Sequence, residues 1–367
     1  MIGTARARAT VTVDLAAVAA NVARLRDAAA PAEVWAVVKA DGYGHGAAAV
    51  GGAAVAAGAT RLCVATSEEG RALREALPDV PVLVMGPLLP GEESDVDGVD
   101  VTVASVDGFT RLRSAARAAL GVHVKVDTGM GRWGMAPDDA LRVADELGDG
   151  DALRLAGLMS HLAVADTDPA FTRGQVERFA ALAARFPPCP RHIANSAAAL
   201  RFPDARFDAV RCGIAVYGLS PFAGDPADDG LRPALRLESH VADVKLLRAG
   251  DSAGYGRRLV ASSPTWIGLV PAGYADGVPR LLSGRADVLV RGRRRRVAAT
   301  VSMDQLTFVI GPECDVEVGD RVTLIGEDGG ERVRAEEWAE LSGTINYEIV
   351  TSLAPRARRV EHVVRDA

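Results

Sequence analysis

The run Trp35-Ala36-Val37-Val38-Lys39-Ala40-Asp41-Gly42-Tyr43-Gly44-His45-Gly46 sets an amine at the end of an apolar, β-branched stretch and at the mouth of a glycine-rich loop. A lysine so placed can serve as nucleophile or base once its amine is neutral, and a (β/α)8 barrel mounts its reactive groups at the C-terminal ends of its strands. Taken alone, such a lysine also reads as a charge snorkelling to solvent. Other polar residues repeat the placement. Lys125, Asp127 and Arg132 end and follow a second apolar run, in Val124-Lys125-Val126-Asp127-Thr128-Gly129-Met130-Gly131-Arg132-Trp133-Gly134. His161 ends a third run and Asn195-Ser196 a fourth, while Arg211, Gly213 and Ile214 fall in a fifth. Singly, His161 also fits a hydrogen-bonded core histidine and Asn195-Ser196 a helix cap. Arg211 in an apolar strand demands partners, because a buried guanidinium is costly unless it is paired.

The elements that must carry these residues follow from the alternation of the chain. Eight β-branched runs, Val34 to Ala40, Arg61 to Thr66, Val80 to Gly86, Val99 to Ser105, Gly121 to Asp127, Leu155 to His161, Arg191 to Ser196 and Ala209 to Gly218, are mostly separated by alanine- and arginine-rich helical stretches. A first helix opens at Asp14, whose carboxylate can cap the first turn. The pattern predicts an α/β fold with an N-terminal (β/α)8 barrel of the TIM type; an open, doubly wound sheet has the same pattern. After the turn-rich Pro221-Phe222-Ala223-Gly224-Asp225-Pro226, short strands with turn signals and one helix near Arg334 to Leu341 predict a mostly β second domain. The expected division is residues 1–233 for the barrel with its N-terminal lead-in, and 234–367 for the β domain.

Composition narrows the function. The chain has 367 residues, of which 49% are hydrophobic, enough for a large core and two domains. A net charge of -6 and the absence of a lysine-rich block argue against nucleic acid as a partner. The basic run Arg293 to Arg296, between apolar segments, is expected at a hairpin tip or edge. Four scattered cysteines without a CxxC pair predict reduced thiols, with neither disulfide framework nor zinc site, and no metal is expected. Neither a signal peptide nor a membrane-length apolar stretch is visible, so a cytoplasmic location and no membrane partner are expected.

Residues 34 to 46 resemble the lysine-bearing signature of the alanine racemases that use pyridoxal 5'-phosphate (PLP). The likeness continues through Lys125 to Gly134, His161, Ile193-Ala194-Asn195-Ser196, Arg211-Cys212-Gly213-Ile214, Ala253-Gly254-Tyr255-Gly256, Gly273-Tyr274-Ala275-Asp276-Gly277, Ser302-Met303-Asp304-Gln305 and Thr344-Ile345-Asn346-Tyr347-Glu348. Each motif is weak alone, and their order along nearly the whole chain is specific.

The resemblance implies an isomerase that interconverts L- and D-alanine, supplying D-alanine for peptidoglycan precursors. It implies that Lys39 carries PLP covalently and then acts as a base on one face of the substrate α-carbon, with Tyr255 as the base on the other face. A phenol titrates near pH 10, so such a base needs a partner; by resemblance that partner is His161. Arg211 is implied to donate to the PLP ring nitrogen, and a guanidinium cannot take up that nitrogen's proton, which suits reprotonation over transamination. Tyr43, Ser196, Gly213, Ile214 and Tyr347 match positions that hold the cofactor phosphate, and Asn195 matches another position of the cofactor pocket. Arg132 and Met303 match residues that hold the substrate carboxylate, Tyr274 and Tyr347 would narrow the entrance, and Lys125 matches a site carbamylated in many relatives. Because relatives supply Tyr255 and Met303 across a subunit interface, a head-to-tail homodimer with composite sites is implied. A racemase of serine or basic amino acids, or an amino-acid decarboxylase, would share this architecture, and a non-catalytic PLP carrier would lack the second domain.

Overall fold

The computed structural model describes residues 7–116, 118–147, 152–353 and 358–364. The chain forms two compact units: Ala17–Arg232, and a second unit built from the chain on either side of it.

In the first unit, eight parallel strands run in the order β8-β7-β6-β5-β4-β3-β2-β9. They are β2 (Glu33–Val37), β3 (Arg61–Val64), β4 (Val82–Pro87), β5 (Asp100–Val103), β6 (Leu120–Lys125), β7 (Leu153–Met159), β8 (Arg191–His192) and β9 (Ala209–Cys212). Each of the eight sequence runs overlaps one of them. The last gap, between β8 and β9, is bridged by backbone hydrogen bonds from Asp208 N to Arg191 O at 3.0 Å and from Arg211 N to Ala194 O at 2.9 Å. The unit is therefore a barrel and the open sheet is excluded.

Helices cover the outside, and their starts are written in the sequence. Asp14 accepts the amide of Ala16 at 2.9 Å at the head of Leu15–Ala29. Thr66 and Glu69 form a reciprocal capping box on Ser67–Ala76, Ser105 caps Val106–Ala115, and Asp168 caps Pro169–Ala183. Seven of the eight strands are shorter than the runs that predicted them, and Leu153–Met159 equals its run in length but begins two residues earlier. The seventh has two residues, and the eighth gives way at Gly213 to a 3-10 turn, Ile214–Tyr217.

The N-terminal lead-in, expected with the barrel, belongs to the second unit. There β1 (Ala9–Asp14) pairs antiparallel with β10 (Leu235–His240), Val11 opposite Leu237, and parallel with Arg358–Val363. Its alternate valines Val11 and Val13 are buried against this sheet, and that gain in apolar burial is realised only by pairing distant in sequence. The sheet continues through Arg321–Asp328, Asp287–Val290 and Arg293–Ala298. The basic run thus forms the second strand of a hairpin, at an edge as the sequence suggested: Arg293 to Arg296 pair with Val290 to Asp287 on one side, pairing with Leu306–Gly311 involves only Val297 and Ala298, and Asp287, Asp315, Glu331 and Glu337 neutralise the arginines. The expected helix is present as Ala335–Ser342, followed by a second, Asn346–Thr351. Among the described residues, no helix is long and apolar enough to cross a membrane.

Candidate active site

Lys39 lies two residues beyond the end of β2 rather than within the strand, because the backbone turns there into a left-handed run. Ala40, Asp41, Gly42, Tyr43 and Gly44 all have positive φ, from 50° to 78°. Three of the five carry a side chain, and each such residue costs roughly 1–2 kcal/mol in this conformation. The surroundings hold the turn. Ala40 N donates to Glu69 Oε1 at 2.6 Å, Ala47 N donates to Asp41 Oδ1 at 2.9 Å, and Gly42 N donates to Val38 O at 2.8 Å. Beneath it the buried Tyr217 hydroxyl donates to Val37 O at 2.9 Å, and its ring packs on Tyr43 and His45. Strain stored this way fixes the direction in which Lys39 leaves the strand.

Five groups with basic or cationic chemistry gather around the mouth. Burial, then the positive charge of Arg132, lowers the Lys39 amine, with Glu69 opposing. Lys125 ends β6 and is brought down to about 7 by burial and by the charges of Arg211 and Arg132. Its Nζ lies 4.8 Å from the Trp133 ring, and the guanidinium of Arg132 lies 4.5 Å from that ring. The loop bearing Arg132 is shaped by Asp127, whose carboxylate accepts the amides of Gly129, Met130 and Gly131. Partial burial would raise this carboxyl, and those amides outweigh it and hold it below the usual range.

His161 is kept neutral: burial, then Arg211, Lys125, Arg132 and Lys39, push it well below its ordinary pKa. Its Nδ1 therefore accepts from Arg211 Nη2 at 3.3 Å. Arg211, buried in β9, donates also to Ser160 O at 2.6 Å, His192 O at 2.8 Å and His192 Nδ1 at 2.6 Å. Burial lowers it to about 10, so it remains a cation at neutral pH. Among the described residues no carboxylate bonds to it; carbonyls and imidazoles are its partners, which leaves the charge uncancelled locally.

Asn195 does what its sequence position permits as a cap: its Oδ1 accepts Ala198 N at 3.0 Å at the head of Ser196–Arg201. Ser196 Oγ accepts the amides of Gly213 and Ala215 at 3.0 and 3.3 Å, so the hydroxyl gathers the exits of β8 and β9. The Tyr43 hydroxyl lies so close to Gly213 that a Cβ there would collide with it.

Tyr255, Tyr274, Met303 and Tyr347 belong to the second unit. Tyr255 is 74% exposed, Met303 49% and Tyr274 44%, so these side chains are presented outward instead of packed in that unit's core. Tyr255 sits in a Gly-Tyr-Gly turn with both glycines at φ 69°, and its carbonyl accepts Thr300 Oγ1 at 2.9 Å. It borders a cavity of about 400 Å³ with Thr300, Ser302 and Gln305. The Tyr274 and Met303 loops are laced by Tyr274 N to Ser302 O at 3.0 Å and Ala275 N to Met303 O at 2.9 Å. Gly273 permits this approach, since a Cβ there would strike the carbonyls of Ser302 and Met303. Tyr347 is on the short helix Asn346–Thr351.

Several residues that shape the site were not singled out from the sequence: Glu69, Tyr217, His123 and His192. For His123 a signal existed. Gly121, His123 and Lys125 alternate along β6 and so share its inner face with a residue already flagged.

A barrel mouth holding a lowered lysine amine, a neutral imidazole and fixed cations is equipped to bind a small anionic substrate and to move protons on it. The model of the alanine racemase N-terminal domain matches residues 13–221, and that of the alanine racemase C-terminal domain matches residues 234–361. The chain is 44% identical to the alanine racemase of Symbiobacterium thermophilum, over 95% of each chain. It superposes on the crystal structure of alanine racemase from Streptomyces lavendulae with a TM-score of 0.91, 38% identity and 98% coverage of both chains. The alanine racemase of Bartonella henselae, solved with covalently bound pyridoxal phosphate, gives a TM-score of 0.88 at 28% identity, over 98% of this chain and all of that one. The chain belongs to the alanine racemase family, and its reaction is the interconversion of L- and D-alanine.

Proposed function

We propose that this racemase works with PLP held at the barrel mouth and with two bases, Lys39 and Tyr255, on opposite faces of the substrate α-carbon. The observation that carries the reading is the grouping of a lowered Lys39 amine with neutral His161 and cationic Arg211 around one opening.

The residues fit the cofactor. Lys39 supplies an amine for covalent attachment, Arg211 a permanent donor for the ring nitrogen, and Tyr43, Ser196 and the amides at Gly213 and Ile214 a cradle of donors suited to phosphate, joined by Tyr347. Asn195 supports this cradle by capping the helix that begins at Ser196. The cofactor, when bound, withdraws electrons from the α-carbon of the attached amino acid and so acidifies its proton.

The chain's own residues do the rest. Lys39 removes or returns the proton on one face, and the lowering of its pKa by burial favours the neutral amine this requires. Tyr255 serves the other face with His161 as its hydrogen-bond partner, and His161, being neutral, passes on the influence of Arg211 without adding a charge. Arg132, with the amide of Met303, orients the substrate carboxylate; Tyr274 and Tyr347 limit the side chain to a small one. Lys125, neutral in part near pH 7, reacts with carbon dioxide to give a carbamate that would pair with Arg132. The exposure of Tyr255 and Met303 on the second unit supports a head-to-tail homodimer in which each copy completes its neighbour's site. We place the enzyme in the cytoplasm, where D-alanine enters peptidoglycan precursors.

Chiral chromatography of the PLP-loaded protein with L-alanine, L-serine and L-lysine tests this. D-alanine should form fastest and vanish with Lys39→Ala, while Tyr255→Phe should impair exchange of the α-proton with solvent far more for one enantiomer than for the other. Equally impaired or unimpaired exchange from both enantiomers would remove Tyr255 as a base, and a fully active monomer in sedimentation would remove the composite site.

A further inference from the structure

A barrel interior is ordinarily packed with branched apolar side chains. Here a polar column descends from Arg211. His192 Nδ1 meets Arg211 at 2.6 Å, His192 Nε2 lies 2.8 Å from His123 Nδ1, and His123 Nε2 faces Asp100 Oδ2 at 3.7 Å. Arg61 and Arg154 hold Asp100 from the other side. Both imidazoles are wholly buried, and Trp35 packs on each of them, with ring centroids 4.5 Å from His192 and 5.8 Å from His123.

Two glycines make room for the column. A Cβ on Gly157 would collide with the His123 ring, and one on Gly121 would collide with the Asp100 carboxylate. An inward glycine weakens a strand, so its presence at both contacts marks positions where side-chain volume is given up for the polar groups.

The direction of every proton in the column follows from its ends. A guanidinium only donates, so His192 Nδ1 must be bare. Burial, then the charge of Arg211 with a smaller share from Arg61, keeps His192 neutral, which leaves its single proton on Nε2, aimed at His123 Nδ1. His123 is lowered by burial against the pull of Asp100, so its proton is on Nε2 and points at the carboxylate. At 3.7 Å that last link is too long for a hydrogen bond, and among the described residues Nε2 has no other partner. Asp100 acts on it through charge.

We propose that His123 and Asp100 are positioning residues of the racemase: a column of fixed-tautomer imidazoles ending on Asp100 keeps His192 Nδ1 free of a proton and thereby locks Arg211 in its donor orientation. The assignment rests on the reading that Arg211 faces the cofactor. Asp100 is also the nearest counter-charge the column offers to Arg211, delivered across two neutral rings.

Imidazole 15N NMR of the intact protein, with and without PLP, tests this directly, because the chain has only six histidines. His192→Asn and His123→Asn assign the signals. Both rings should show a bare Nδ1 and a protonated Nε2 already in the cofactor-free protein. A proton on Nδ1 of either ring, or an imidazolium near pH 7, overturns the proposal. In Asp100→Asn, His123 should become a tautomer mixture and PLP affinity should fall on the order of tenfold, the scale of losing the Arg211 donation to the cofactor. Unchanged tautomers with unchanged affinity in that variant would overturn it as well; should the variant not fold, the wild-type tautomers still decide. Arg211→Ala separates the parent reading: if it binds PLP as tightly as wild type, Arg211 does not face the cofactor, whatever the tautomers show.

Discussion

Glu69 accepts the amide of Ala40 through one carboxylate oxygen, at 2.6 Å, while its other oxygen accepts the amide of Ala65 at 2.8 Å. One side chain thus closes the cap of its own helix and anchors the left-handed turn that aims Lys39. It also opposes, by its charge, the lowering of the Lys39 amine. Glu69→Gln keeps an acceptor and removes the charge, so the Lys39 amine should fall further and the rise of activity with pH should move to lower pH. Glu69→Ala should instead cost about 1–2 kcal/mol of stability through the lost cap and anchor, with a lower kcat. Urea unfolding and pH–rate profiles of the two variants separate these effects.

Lys125 gives a pH dependence of stability with a definite sign. Its folded pKa, about 7, is below the ordinary value of 10.5. Between those values the unfolded chain binds a proton that the folded chain lacks, so stability rises with pH across this window. Relative to Lys125→Met, the uncarbamylated protein should gain up to about 1.4 kcal/mol per pH unit between pH 7 and 10, read by denaturant titration. The same neutral amine should take up carbon dioxide above pH 7 and lose it below, which intact mass measurement at controlled pH and bicarbonate detects.

Trp133 bears two cations on its ring, Lys125 at 4.8 Å and Arg132 at 4.5 Å. Trp133→Leu frees Arg132, and KM for alanine should rise about three- to tenfold with a smaller change in kcat, the scale of one exposed cation–π contact or slightly more. A kcat loss at constant KM would show that the ring does not serve substrate binding.

Gly213→Ala drives a methyl into the Tyr43 hydroxyl. The barrel should persist, since the change lies beyond the end of β9, while PLP affinity should fall on the order of tenfold, measured by absorbance titration. Gly157→Ala, colliding with the His123 ring inside the barrel, should instead lower the melting temperature.

The eight strands were legible because buried parallel strands are written as β-branched runs, and the first helix because Asp14 precedes it. Lys39, Lys125 and His161 were legible because each lies at or near the end of such a run, and Arg211 because a guanidinium inside one demands partners. The left-handed turn was not: only Gly42 and Gly44 advertise positive φ, whereas Ala40, Asp41 and Tyr43 adopt it under tertiary constraint. His192 escaped notice because its strand is two residues long and leaves no alternation to read. Glu69 was hidden for another reason, since its capping role is local and visible but its bond to Ala40 spans 29 residues.

The pairing of β1 also orders events in time. Its partners, Leu235–His240 and Arg358–Val363, are made by the ribosome long after it, with on the order of tens of seconds between the first strand and the last. The barrel segment, Ala17–Arg232, is complete well before that. During synthesis this racemase therefore carries an edge-seeking strand ahead of a finished barrel, and the second unit closes only when the two ends of the chain meet.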